Sequence, residues 1–201
     1  MARKKEPELI SINQDKIVLK AKELFKTKRF EALKMEEIAK EVGISKTTLY
    51  TYFKNKEQIK NYISLQAMEA FYQELCTVKR FQKETIHGRY MQICETLVGL
   101  KENYPEEFDL IFENICVNQE TLEQDSILHS IFEKGEEINQ IIFSLFEGIL
   151  QMSEEGVRVL FAQWGSIYGL ITLAYNKEEY IMQQMHLTRK EFLNSGFEIC
   201  S

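Results

Sequence analysis

Between Met35 and Glu57 the chain reads MEEIAKEVGISKTTLYTYFKNKE, and this stretch constrains the fold more than any other. Ile38 and Val42 share one side of a short helix, Ala39 is small, Gly43 follows at once, and Ile44 and Leu49 can close a corner. That spacing predicts a helix-turn-helix: Gly43 takes the left-handed backbone of the turn, and Ala39 lets the second helix cross close to the first. A β-branched residue at Gly43 would resist positive φ.

Ser45 stands where its hydroxyl can cap the next helix by accepting a backbone N–H from Thr47 or Thr48. Lys46, Thr47, Thr48, Tyr50, Thr51 and Tyr52 then leave the outer face polar and aromatic, and no acid occurs from Ile44 to Lys56. A helix lying in a major groove needs this chemistry: short hydroxyls and methyls for base edges, phenols for phosphate, and no carboxylate to repel the backbone. Asn55 with Gln58 three residues on reads as a capping box that starts a new helix beside Lys54 and Lys56. A helix N-terminus flanked by lysines can clamp a phosphate; the competing reading is a solvated turn.

Total charge argues the other way. The 201 residues hold 25 Lys+Arg against 31 Asp+Glu, a net charge of -6. Its distribution reverses the inference. Residues 1–60 balance at +6 and residues 61–201 at -12, so a basic module precedes an acidic body. With 9 Gly, 2 Pro and abundant helix formers the expected fold class is all-α.

Periodicity predicts helices over about 13–28, 34–42, 46–53 and onward from Asn55, then over 85–103, 105–117, 126–152, 154–176 and 188–200, with a loop across 118–125. The expected division is a helix-turn-helix domain over 1–55, a connecting helix over 56–78 and a helical body over 79–201. Cys76, Cys94, Cys116 and Cys200 are scattered, as are His87, His129 and His186, which predicts reduced thiols and neither a metal site nor a cofactor. Met1 to Pro7 lack the apolar run of a secretory signal. The uncharged run from Val159 to Asn176 approaches the length of a bilayer span, yet it carries Gln163, Ser166 and Thr172 and reads as a buried helix. A cytoplasmic protein with no membrane partner is expected.

The segment IAKEVGISKTTLYTYFKNKE resembles the DNA-binding domain of the tetracycline-repressor (TetR) family of bacterial transcription regulators. By position, the resemblance implies that Lys46, Thr47, Thr48, Tyr50 and Tyr52 face DNA and that Lys56 binds a phosphate. Ser45, Thr51 and Lys54 complete the candidate set with Lys34, which stands beside Leu33 where many members place a capping Thr or Ser. It further implies an N-terminal three-helix domain and a C-terminal helical domain for ligand binding and dimerisation. The implied partners are a palindromic double-stranded operator, an unidentified small-molecule effector and a second copy of the chain.

Phe108, Phe112, Phe143, Phe146, Trp164 and Tyr168 could line an apolar effector pocket, or they could simply be core, since both are apolar. Tyr168 occupies a position that is His in one subgroup of the family. Leu160, Gly165, Gly169 and Phe192 are candidates for the dimer seam; G-x-x-x-G permits close helix approach, though ordinary packing within the chain uses the same spacing. A helical interaction or small-molecule-binding module in which the helix-turn-helix does not read DNA is the alternative. No nucleophile–base set, paired carboxylates or phosphate loop argues for an enzyme.

Overall fold

A computed structural model of the chain describes residues 7–28, 32–80, 85–112, 119–146 and 151–200. All regular structure among them is helical, in the order α1 (Pro7–Thr27), α2 (Met35–Val42), α3 (Lys46–Tyr50), α4 (Lys56–Arg80), α5 (Ile86–Asn103), α6 (Pro105–Phe112), α7 (Gln119–Gln124), α8 (Ser126–Leu145), α9 (Glu154–Asn176), α10 (Glu178–Tyr180) and α11 (Arg189–Cys200).

Helix starts are set by short polar caps. Thr85 accepts from the Gly88 N–H at 3.1 Å, Ser153 from the Gly156 N–H at 3.1 Å, and Thr188 exchanges bonds with Glu191 at the head of α11. Three boundaries differ from the expectation. Residues 119–124, expected as loop, form the short α7; α3 stops at Tyr50 rather than Phe53; and α1 begins at Pro7. The predicted ends of the helices over 105–117 and 126–152 run into 113–118 and 147–150, which lie outside the described residues, as does Cys116. Beyond α9, α10 continues into one π-helical turn, Ile181–Met185, which ends at His186 in left-handed backbone (φ 55°). No sequence signal marks that turn.

The long helix α4 is the axis of the molecule. Its N-terminal part packs on α1 through Ile59 and Ile63, and its C-terminal part runs beside α5, α6 and α8 through Phe71, Leu75 and Val78. Polar tethers fix the register. Ser64 Oγ donates to the Leu110 carbonyl at 3.2 Å, and Lys134 of α8 pairs with Glu69 at 2.7 Å while lying 4.3 Å from the Tyr72 ring centroid. Tyr62 and Gln66 both donate to Asp15, at 3.0 and 2.7 Å, and bind α4 to α1.

Helix α9 is long and apolar enough to cross a membrane, but only one side of it is covered. Leu160, Ile167, Ile171 and Ala174 are buried, whereas Val157, Val159, Phe161 and Leu173 are exposed. The expectation of a buried helix is therefore met on one face only. At Gly196 of α11 a Cβ would sit 2.7 Å from Leu170 Cδ2 of α9, so a larger residue there would require the Leu170 side chain to shift. At Gly165 and Gly169 a Cβ would meet nothing within 4 Å, so packing within the chain does not require glycine there.

Candidate nucleic-acid interface

The corner between α2 and α3 is built as its residue types dictate. Gly43 has φ 77°, and its N–H and that of Ile44 close on the carbonyls of Lys40 and Ala39 at 3.1 and 3.0 Å. Ile38, Ala39, Leu49 and Phe53 are buried together beneath it. Gly43→Val is expected to cost at least about 1–2 kcal/mol, because a β-branched side chain must enter the left-handed region. Thermal unfolding of the two proteins measures this loss; equal midpoints would contradict it.

Ser45 caps α3 by accepting from the Thr48 N–H at 3.0 Å, and its hydroxyl lies 2.8 Å from Thr48 Oγ1. Thr48 is thereby half-buried and committed to the cap, while Thr47 is exposed with its side chain outward. Tyr50 and Thr51, the residue that follows α3, are exposed as well. Tyr52 is half-buried against the core, and its carbonyl accepts from Gln14 of α1 at 3.3 Å. Lys46 is exposed but not solitary. Its ammonium is paired with Glu36 of α2 and lies 5.8 Å from the Tyr50 ring centroid. The bond from Lys46 holds the Glu36 carboxyl below the usual range. The segment from Ile44 to Lys56 carries no acid, but α2 lends it one.

Lys34 precedes α2 without a side-chain cap. Its N–H donates to Glu37 Oε2 at 3.1 Å, and the same carboxylate is paired with Lys28 at 2.6 Å. Glu37 thus does part of what a capping Thr or Ser would do, and leaves the exposed Lys34 side chain out of the cap.

The head of α4 repeats the device with a change. Asn55 Oδ1 accepts from the Gln58 N–H at 2.8 Å, but Gln58 Oε1 reaches back to the Lys54 N–H at 2.7 Å rather than to Asn55. Gln58 is 6% exposed, and its amide Nε2 donates to Asp125 Oδ2 at 2.7 Å. Asp125 also caps α8, with Oδ1 accepting from Ile127 and Leu128 N–H groups at 2.9 and 3.4 Å. Lys54 Nζ points the same way, to the Gln124 carbonyl at 3.3 Å. A second link between module and body joins Lys22 of α1 to Glu107 of α6 at 3.0 Å.

From the sequence, Glu107 is expected only as a first-turn acid after Pro105 that suits the helix dipole, and Asp125 and Gln124 have no expected role. An Asp directly before Ser126-Ile127-Leu128 is a visible cap signal, but the partner 67 residues away is not.

The body separates the six aromatic candidates. Phe108, Phe112 and Tyr168 stack on one another, with centroids 4.6–5.7 Å apart, and Phe108 is fully buried. Phe143 is buried beside α9, near Gly156. Phe146 and Trp164 line a cavity of about 410 Å³ between α5, α8, α9 and α11. Of the dimer candidates, Gly165 lies on the open side of α9 and Gly169 is half-buried there; Leu160 packs into the core, and Phe192 is half-buried beside Ile181. Cys76, Cys94 and Cys200 are free thiols, and burial pushes that of Cys94 up to about 12. Among the described residues no group of His, Cys, Asp and Glu could hold a metal ion.

The sequence profile of the family described as "Bacterial regulatory proteins, tetR family" matches residues 17–63, from the middle of α1 through the first third of α4. No curated protein matches the chain. Solved structures do. A TetR-family transcriptional regulator from Streptomyces coelicolor is 13% identical with a TM-score of 0.67, over 93% of this chain and 94% of that one. The fatty acid degradation regulator FadR from Bacillus halodurans is 13% identical with a TM-score of 0.62, over 98% and 96%. The TetR-family transcriptional regulator PfmR from Thermus thermophilus is 19% identical with a TM-score of 0.56, over 92% and 96%. At these identities the likeness is one of fold, and it extends along nearly the whole chain. The family's N-terminal segment is thus matched at residues 17–63, and the fold of its solved regulators extends around that segment.

Proposed function

We propose that the protein is a homodimeric, ligand-responsive transcriptional repressor that binds a palindromic operator through one α3 per subunit. The observation that carries this reading is the face of α3. Thr47, Tyr50 and Thr51 stand exposed on α3 and at its end while Leu49 of the same helix is buried, and they are flanked by Lys46 and by the lysine-bearing head of α4. In a dimer of these subunits the two α3 helices must lie one DNA turn apart, about 34 Å, to enter successive major grooves.

The uncovered side of α9 supports the second copy. Phe161 is 62% exposed and Ile199 of α11 is 84% exposed, and the open space above Gly165 lets another backbone come near. Burying such side chains against a second copy removes apolar surface from water. Effector binding in the body would favour one orientation of α4 over another, moving the recognition helices together or apart. The contacts Gln58–Asp125, Lys54–Gln124 and Lys22–Glu107 are where that movement would pass between body and module.

The test begins with DNA fragments selected by the purified protein from a genomic library. Thr47→Ala is expected to change the preferred base at one position of each half-site by about 1–3 kcal/mol while leaving other positions alone. An unaltered preference, or no selected sequence at all, would remove the assignment of α3 as the reading helix. The rival reading, a helical protein-interaction or small-molecule-binding module in which the helix-turn-helix does not read DNA, requires that second outcome.

A further inference from the structure

The cavity of about 410 Å³ between α5, α8, α9 and α11 contains two features that a well-packed core does not leave. Tyr90 is 8% exposed, and among the described residues no oxygen or nitrogen pairs with its hydroxyl, whose one partner is the weakly bonding Cys94 thiol. Gln163 lines the same cavity from α9, and its buried Oε1 has no hydrogen-bond donor. Buried polar atoms without strong partners are costly, and two of them lining one space can be satisfied together by a single polar group of an occupant.

The rest of the wall fixes the character of that occupant. Ile93, Ile142 and Trp164 are typical of it, and the described lining residues include no Lys, Arg, Asp or Glu. His87 stands at the rim, its side chain 48% exposed and 3.4 Å from Glu198, so this pair faces solvent. Burial raises the Tyr90 phenol well above its ordinary range and keeps it neutral. An ion placed inside would lose its hydration with no opposite charge to replace it.

We infer that this cavity binds an uncharged apolar molecule carrying a hydroxyl, which donates to Gln163 Oε1 and accepts from the Tyr90 hydroxyl. The inference deepens the ligand-responsive reading and rests on it only for the effect of binding on DNA. Carboxylates and ammonium compounds of the same chain length are excluded by the wall.

Trp164 is the chain's one tryptophan and lines the cavity, so its emission reports occupancy directly. The full chain is titrated near neutral pH with 1-decanol, decanoate and decylammonium in parallel. The expected result is a saturable change with decanol and binding at least about tenfold weaker for both ions. Tyr90→Phe, checked for an unchanged circular dichroism spectrum, is expected to weaken decanol about tenfold, and Gln163→Leu to do the same independently. Decanoate binding as tightly as decanol, or no saturable change with decanol, overturns the inference in the wild-type chain alone; affinity unmoved in both variants overturns the roles of Tyr90 and Gln163.

Release of selected DNA is followed separately. Decanol that binds without releasing DNA leaves the cavity assignment standing and removes the ligand-responsive reading. DNA binding with no decanol response removes only the inference.

Discussion

Asp125→Ala is expected to lower stability by about 2–4 kcal/mol, because one carboxylate serves two ends of the fold. Its loss uncaps α8, which costs about 1 kcal/mol, and leaves the buried Gln58 Nε2 without its acceptor, which adds about 1–3 kcal/mol. For a chain of this size the melting temperature should fall by about 5–15 °C. The origin can be separated by a double-mutant cycle. In a Gln58→Met background Asp125→Ala should cost less by about 1–2 kcal/mol, since the amide is already gone. Strict additivity would mean that the 2.7 Å bond between the two residues contributes nothing. The same variant removes one of the three polar links between module and body, so any effect of a cavity ligand on DNA should weaken with it.

The second large effect is expected at the phosphate-facing edge. The double variant Tyr50→Ala, Lys56→Ala should reduce affinity for selected DNA by about 10–100-fold and should do so for all sequences alike, since phosphate contacts position the protein without reading bases. The dependence of log affinity on log salt should become shallower by about 1 for the one cation removed. Wild-type binding should itself be strongly salt-dependent in spite of the net charge of -6, because residues 1–60 carry the opposite sign. A wild-type affinity that is flat in salt, or a double variant that binds as well as the parent, would contradict phosphate contact at this edge.

Local chemistry made the α2–α3 corner readable in the chain. Gly43, Ala39, Ser45 and Leu49 each perform a task that depends on neighbours within about one helical turn on either side, and such tasks leave spacing signatures. The body offers no comparable punctuation. Phe108, Phe112 and Tyr168 share their apolar character with Phe146 and Trp164, and only the tertiary arrangement separates a stacked cluster from a cavity wall. The polar anchors of that cavity were missed for the same reason: Tyr90 and Gln163 look like ordinary helix residues until the absence of partners is seen. Gly196 was passed over in favour of Gly165 and Gly169 because a repeated spacing draws notice and a single glycine does not, although it is Gly196 that lies under Leu170. The helix α7 was hidden by its six residues, too few for a period to register.

The Lys46–Glu36 pair has a kinetic consequence. A lysine already held by a carboxylate offers less to an arbitrary stretch of duplex, since each phosphate must first displace Glu36. If α3 reads DNA as proposed, that exchange would shorten the dwell time on non-cognate DNA, where little else is gained. At a matching half-site the proposed threonine and tyrosine contacts would carry the exchange through. The acid borrowed from α2 would then act as a brake on idle retention, letting the protein leave wrong sites quickly while its residence on the right one is set by the rest of the face.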